Sequence, residues 1–205
     1  MQNSYKQAAK QVEVIYEIKK SEFIAWAGPA ESREQAMQLL AKAKEAFPDA
    51  RHHCWAYLIG DPKNAVTMAC ADDGEPTGTA GRPMLNILQH KDVGDVMVVI
   101  SRYFGGTKLG AGGLVRAYSQ ATQQVIAIMQ TDNKIPMVEL LVSLPFSLDA
   151  KLRHAVKQQG GKIEDLQYQE GIGARVSIPE ENSRDFCSLF EALSDVTIKS
   201  QADEI

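Results

Sequence analysis

Residues 96–129 place a glycine-rich stretch between an apolar segment and an amphipathic one. Residues 96–100 read Val-Met-Val-Val-Ile, a continuous apolar run typical of a strand that is covered on both faces of a sheet. From about residue 113 to 129, apolar side chains recur at helical spacing and predict a long helix. The predicted core-facing stripe of this helix is Leu114, Ala117, Ala121, Val125 and Ile128. We therefore expect a sheet whose central strand turns directly into a helix.

The turn contains five glycines, and the residue pattern leaves two interpretations of them open. In the first, they let backbone N–H groups approach a phosphate, the helix start adds its positive dipole end, and cationic and aromatic neighbours bind single-stranded nucleic acid. In the second, they only allow a tight strand-to-helix connection. The glycines are Gly105, Gly106, Gly110, Gly112 and Gly113, and the other candidate anion-binding or nucleic-acid-binding residues are Arg82, Arg102, Tyr103, Phe104, Lys108 and Arg116.

The spacing of these glycines matches neither of two common nucleotide-binding motifs. The pattern G-x-x-x-x-G-K-[ST] needs a lysine directly after its last glycine, whereas Lys108 lies inside the run. The pattern G-x-G-x-x-G, placed on Gly110 and Gly112, needs a glycine where Val115 stands. Binding is therefore better supported for this stretch than catalysis.

Residues 72–82 are too rich in Gly and Pro for regular structure. Their carboxylates, Asp72, Asp73 and Glu75, could hold a hard cation such as Mg²⁺. Asp-Gly and Glu-Pro are nevertheless typical of turns, and no calcium-loop spacing is completed, so we predict no metal and no cofactor. Arg82, which precedes a predicted short helix, is expected to face the same ligand as Arg102.

Two histidines and a cysteine adjoin in His52-His53-Cys54. On a strand, His52 and Cys54 share one face and His53 points to the other, so no adjacent pair forms a nucleophile and a base. We expect Cys54 to pack in the core and His53 to lie at the edge of a site with Asp73 and Glu75, and we predict no catalytic residue. The alternative hypothesis is an enzyme for a small phosphorylated or acidic substrate, in which one of these three groups acts as acid or base.

The charge distribution directs any contact with an anion to the first part of the chain. The 205 residues have a formal net charge of −4, but residues 1–134 carry 15 Lys and Arg against 14 Asp and Glu, and residues 135–205 carry 7 against 12. No uncharged apolar run of about 18 residues and no secretion-signal core are present, and the three cysteines lack metal-site spacing. We therefore expect a cytoplasmic protein without membrane contact.

The polar residues 130–134, followed by Pro136, mark a predicted boundary between two domains, 1–134 and 135–205. In the first, Ser32 and Gln35 have capping-box spacing at the start of a helix. The other predicted elements of this domain are strands 12–18, 19–27, 54–59, 65–70 and 96–100 and helices 83–88 and 113–129. The second domain is predicted as strand 137–144, helix 147–159, strands 162–168 and 172–178, helix 180–193 and strand 196–199. This β-α-β-β-α-β order is the ferredoxin-like one, and the fold class is α+β.

Four blocks of the sequence, residues 20–25, 53–57, 72–83 and 101–116, resemble in order the signature blocks of the IMPACT N-terminal domain. The whole chain resembles the bacterial members of that family. The resemblance implies an N-terminal α/β sandwich like domain 2 of ribosomal protein S5, and a ferredoxin-like C-terminal domain similar to the last domain of elongation factor G. It implies no catalytic residue, but a binding surface at Arg82, Arg102 and the glycine-rich stretch.

The eukaryotic members of the family are translational regulators that dampen the amino-acid-starvation kinase pathway, and they carry an additional RWD domain. This chain begins too close to the shared domain to contain one, so we expect only the shared role to apply. Together the glycine-rich stretch and the resemblance predict a non-catalytic, cytoplasmic regulator of translation that binds RNA, the ribosome or a translation factor. A third hypothesis is a protein-interaction module whose acidic C-terminal domain docks a basic partner.

Overall fold

The computed structural model of this protein describes residues 4–200 and has a mixed α+β architecture. Contacts between the described residues divide them into two units, Tyr5–Lys134 and Ile135–Ser200, with Ser4 grouped with the second. Within the described residues, no helix is long and apolar enough to cross a membrane. The elements of the first unit are β1 (Tyr5–Ala8), β2 (Val12–Ile18), β3 (Ser21–Pro29), α1 (Arg33–Ala46), β4 (His52–Asp61), β5 (Asn64–Ala71), α2 (Gly81–Gln89), β6 (Val93–Gly94), β7 (Val96–Tyr103), α3 (Ala111–Ala127) and β8 (Thr131–Lys134).

The first unit is built on a five-stranded antiparallel sheet in the order β2-β3-β7-β4-β5. Strand β7 lies at its centre and is buried on both faces, which confirms the prediction from its apolar run. Because side chains alternate along a strand, Val98 and Ile100 face the core under α2 and α3, whereas Met97 and Val99 pack with α1. The two faces of the sheet are therefore covered by different helices.

The helix starts were predicted with small errors. Ser32 Oγ accepts a hydrogen bond from the Gln35 N–H at 3.3 Å, as predicted, but Gln35 Oε1 accepts from the Glu31 N–H at 2.9 Å, one residue before the capping-box position. Helix α3 begins at Ala111, about two residues earlier than predicted. It also ends earlier, at Ala127, so Ile128 lies outside the helix and is 54% exposed instead of in the core.

A second, three-stranded sheet in the order β6-β1-β8 was not predicted. Its strands are short and mostly polar, so they carry no alternation of apolar residues that would indicate a strand. The buried Asp95 holds it: its carboxylate accepts hydrogen bonds from the Tyr5 hydroxyl at 2.6 Å, Lys134 Nζ at 2.6 Å and the Gly60 N–H at 2.8 Å. This carboxylate therefore ties both ends of the first unit to its sheet.

The second unit has a four-stranded antiparallel sheet in the order β10-β11-β9-β12 and its own core. Its elements follow one another as β-α-β-β-α-β: β9 (Met137–Leu144), α4 (Asp149–Gln158), β10 (Lys162–Tyr168), β11 (Ile172–Pro179), α5 (Ser183–Ser188) and β12 (Thr197–Ser200). Both helices begin later than predicted, because short 3₁₀ turns at Phe146–Leu148 and Glu180–Asn182 precede them, and α5 also ends five residues earlier than predicted, at Ser188.

Candidate functional site

The ends of four strands meet at one end of the five-stranded sheet. Antiparallel pairing places Glu22, at the start of β3, opposite Tyr103, and His52, at the start of β4, opposite Arg102 near the end of β7. Strand β5 runs antiparallel to β4 and ends at the same place, at Ala71. The sheet therefore brings together the turn before β3, the loop after β5 and the glycine-rich stretch after β7, which are far apart in sequence.

A buried ion pair joins two of these segments. Arg102 Nη1 lies 2.5 Å from Glu75 Oε1, and Arg102 is only 6% exposed. The same carboxylate oxygen accepts a hydrogen bond from the Tyr118 hydroxyl at 2.9 Å. Arg102 was expected to neutralise a bound phosphate, but it shares the face of β7 that Val98 and Ile100 turn toward the core. The structure thus places its charge inside the protein, compensated by Glu75.

The loop after β5 is held by its own first carboxylate. Asp72 accepts hydrogen bonds from the N–H groups of Gly78, Ala80 and Gly81, at 2.8, 3.0 and 2.9 Å. Its carbonyl lies 2.9 Å from the thiol of Cys54. The Asp72 carboxylate therefore stabilises the loop by binding its backbone, and the loop in turn positions Glu75 against Arg102.

Cys54 and Tyr118 extend this buried cluster under the loop. The Cys54 Sγ lies 3.2 Å from the Tyr118 hydroxyl, and both residues are fully buried. Burial raises the pKa of both groups well above their ordinary values, so the thiol and the phenol stay protonated at neutral pH. A protonated, enclosed thiol is a packing group, as predicted for Cys54.

His53 lies on the other face of the sheet, at the same end. Its Nδ1 is 2.8 Å from the Ser101 hydroxyl, and its backbone N–H donates to Asp73 Oδ2 at 2.7 Å. The Asp73 carbonyl accepts at 2.8 Å from Nδ1 of His52 when that nitrogen carries the proton. His53, Asp73 and Glu75 therefore each hold strands and loop together at this end of the sheet through the hydrogen bonds given above.

A pH dependence of stability follows from the burial of His53. Burial lowers the pKa of His53, with Asp73 partly opposing the shift. The unfolded chain then binds the proton more readily, so this contribution to stability is complete above about pH 6.5 and is lost as pH falls through the lower folded-state pKa. We expect the free energy of unfolding, measured by urea titration from about pH 7.5 to 5, to fall less steeply in His53→Asn. Equal pH slopes for the variant and the parent would contradict this.

The glycine-rich stretch contains one glycine that is required by a close backbone contact. A Cβ on Gly105 would lie 1.9 Å from the carbonyl carbon of Lys20, in the turn before β3. The Gly105 N–H also donates to Ser21 Oγ at 3.1 Å. The start of the stretch is therefore fixed against the neighbouring turn.

Beyond Gly105 the stretch is mostly open to solvent, although Leu109 and Gly113 are half-buried. Gly106 and Gly110 have φ of +86° and +72°, which favour glycine, and a Cβ on either would meet nothing within 4 Å. Gly110 is the N-cap of α3, whose first turn has neither a side-chain cap nor an acidic residue. Gly112 and Gly113 lie in that first turn. The free N–H groups and the positive dipole end of α3 therefore face an open loop.

The candidate binding residues differ in exposure. Phe104, Lys108, Arg116 and Arg82 are exposed, and Tyr103 is half-buried. A guanidinium nitrogen of Arg116 lies 3.6 Å from the position that a Cβ on Gly112 would take, so this side chain folds over the first turn of α3. We call Phe104, the glycines from 106 to 113, Lys108 and Arg116 the loop surface.

Several residues at this end of the sheet were not predicted to belong to the site. Tyr118 follows Leu114 by four positions on the buried stripe of α3, and this spacing could have indicated that it points inward. Phe23 packs edge-to-face on Tyr118 at 5.1 Å between ring centroids. Ser21 and Ser101 hold Gly105 and His53, and a small polar residue at a strand end carries no comparable sequence signal.

Comparison with known proteins finds a family and relatives that carry the same family name. Residues 19–126, which include every site residue described above, match the family described as the Impact N-terminal domain. The chain is 46% identical over 119 residues to an IMPACT family member of Haemophilus influenzae, a match that spans 58% of each protein. It is 36% identical over 178 residues to IMPACT family member YigZ of Escherichia coli K12, covering 87% of each.

More distant relatives and solved structures extend this similarity. Protein IMPACT of Xenopus laevis is 39% identical over 95 residues, which are 45% of this chain and 30% of that protein. The crystal structure of a hypothetical protein superimposes with a TM-score of 0.74 at 33% identity, covering 97% of each chain.

Proposed function

This chain belongs to the IMPACT family and is YigZ-like, and we propose that it is a non-catalytic, cytoplasmic regulator of translation that binds RNA of the translation apparatus through the loop surface. The first unit then corresponds to a domain of the ribosomal protein S5 domain 2 type. The second corresponds to a ferredoxin-like domain, with which its β-α-β-β-α-β order agrees. The partner is RNA, free or within the ribosome.

The observation that carries this proposal is the uncapped start of α3 behind an open glycine loop. Backbone N–H groups at a helix N-terminus bind phosphate oxygens, and the helix dipole adds to their attraction. Gly106 and Gly110 leave this start accessible, because no neighbouring atom lies where their side chains would be. A phosphate of the RNA backbone can therefore reach the first turn.

The charges of the loop surface support the same ligand. Lys108, Arg116 and Arg82, all exposed, form no ion pair within 4.0 Å in the part of the chain that the structure describes. An unpaired cation can neutralise a phosphate without first breaking an existing pair. The formal charge of residues 1–134 exceeds that of residues 135–205, with 15 basic and 14 acidic residues against 7 and 12.

Removing the two cations of the loop surface tests the proposal. In Lys108→Ala with Arg116→Ala, we expect RNA affinity and co-sedimentation with ribosomes at about 50 mM salt to fall at least about tenfold, because two charge-assisted contacts are lost. The slope of log affinity against log salt should decrease by about 1.4, since each phosphate contact on a single strand contributes about 0.7.

A matched control removes one arginine and one lysine elsewhere. Arg33 and Lys42 are exposed on α1, which packs on the opposite face of the sheet from α3. Arg33→Ala with Lys42→Ala should leave RNA affinity and the salt slope close to those of the parent. If both double variants weaken binding equally, net charge and not the loop surface controls it.

A further inference from the structure

We propose that Phe104 is a stacking platform for a base of single-stranded RNA, an inference that rests on the proposed function and names the part of the ligand that this surface recognises. Phe104 is 48% exposed, although it follows directly on a buried central strand. It lies four residues before Lys108 and next to Gly105. A flat aromatic face in the same exposed loop as a cation and the start of a helix suits a ligand with both flat bases and phosphates.

The ring is held in place from inside the protein. The Arg102 guanidinium carbon lies over the Phe104 ring, 5.8 Å from its centroid, and 5.4 Å from the centroid of Phe23. Arg102 is itself fixed by the ion pair with Glu75, and the backbone after Phe104 is fixed by the contact of Gly105 with Lys20. Since the ring is ordered before binding, little conformational entropy is lost when a base stacks on it.

The same geometry distinguishes RNA from a basic protein segment. The electrons of an aromatic ring attract a cation, and Arg102 already occupies one face of the Phe104 ring in this way. A second cation on the opposite face would be repelled by the first. Lys108 and Arg116 add further repulsion for a Lys-rich or Arg-rich peptide. A neutral base meets no such repulsion, so the outer face of Phe104 favours a base.

Another exposed aromatic residue, Phe146, lacks these features and provides a control. It is 52% exposed, but its ring is stacked on Tyr168 at 6.3 Å between centroids with an interplanar angle of 11°. It also lies in the acidic part of the chain, residues 135–205, which contains 7 basic and 12 acidic residues. An aromatic residue of equal exposure is therefore available outside the loop surface.

The test compares two anions that differ in having bases. With an oligouridylate of about 12 nucleotides, Phe104→Leu should bind about 5- to 150-fold more weakly than the parent, the range observed when one stacking residue is removed. With inorganic polyphosphate of similar charge, the same substitution should leave affinity unchanged.

Phe104→Trp should retain affinity for the oligouridylate, and its added indole fluorescence should be quenched on binding. Phe146→Leu should change neither affinity.

Each other outcome has a definite meaning. An unchanged affinity of Phe104→Leu for the oligouridylate, with the parent binding it normally, overturns the platform but leaves the proposed function standing. Equal weakening toward oligouridylate and polyphosphate also overturns it, because the ring then acts by positioning the loop. Tighter binding of polyglutamate than of oligouridylate by the parent would indicate an acidic protein partner instead. Absence of RNA binding by the parent overturns both proposals.

Discussion

Glu75→Ala is expected to lower the free energy of unfolding by about 3–5 kcal/mol, the usual cost of removing one partner of a buried ion pair. The substitution leaves the Arg102 guanidinium enclosed without its carboxylate, at 6% exposure. It also removes the acceptor of the Tyr118 hydroxyl. The effect arises from the uncompensated charge, because the carboxylate is the group that makes burial of Arg102 tolerable. Urea denaturation followed by circular dichroism measures it.

Two further variants separate the buried charge from a general effect on the loop. Asp73→Asn removes a carboxylate from the same loop but keeps an acceptor for the His53 N–H, so its cost should stay within about 1 kcal/mol. Glu75→Ala combined with Arg102→Met should recover much of the lost stability, since both charges are then absent. If the double variant is no more stable than Glu75→Ala, an unpaired Arg102 is not the cause.

Gly105→Ala is expected to destabilise the protein by about 3 kcal/mol, the upper part of the range for overpacking. The new Cβ would lie 1.9 Å from the carbonyl carbon and carbonyl oxygen of Lys20 and 2.3 Å from the Ser21 nitrogen. All three atoms belong to the backbone, so no change of rotamer relieves the clash and the turn before β3 has to move. We also expect weaker RNA binding, because Gly105 connects Phe104 to the rest of the loop surface and its contact with Lys20 fixes the backbone there.

Gly112→Ala is the matched control within the same stretch. Gly112 lies in the first turn of α3, and a Cβ there approaches only the end of the Arg116 side chain, at 3.6 Å. Alanine should therefore leave stability unchanged or raise it by up to about 1 kcal/mol through its better helix propensity. Equal destabilisation by both substitutions, in thermal or urea unfolding, would show that close packing is not what requires glycine at position 105.

The structure confirms the tight-connection interpretation for Gly105, whereas anion binding by the other glycines of the stretch stays a prediction. Gly105 serves packing, since a backbone carbonyl stands where its side chain would be. Gly106 and Gly110 bend an exposed loop by adopting positive φ and leave the start of α3 accessible. The sequence could not separate these roles, because the carbonyl that excludes a side chain at position 105 comes from Lys20, more than 80 residues earlier.

The cationic residues of the predicted site divide in the same way. Lys108 and Arg116 are exposed, as the loop and helix positions suggest, whereas Arg102 is buried. Both faces of β7 are covered, so the apolar run before Arg102 does not tell which way its side chain points. The pairing of Arg102 with Glu75 depends on the fold of the loop that Asp72 closes, and no local sequence pattern predicts that contact.

Periodicity and turn chemistry in the sequence by themselves determined the mixed fold, most elements and the central strand, and the resemblance of four sequence blocks indicated the family. These features are local, because each strand or helix buries a face that its own residues define. Tertiary structure alone decided which charges are buried, which glycine is pressed against a backbone and that four distant blocks meet at one end of a sheet. Burial and pairing depend on neighbours supplied by other segments, and those neighbours exist only once the chain has folded.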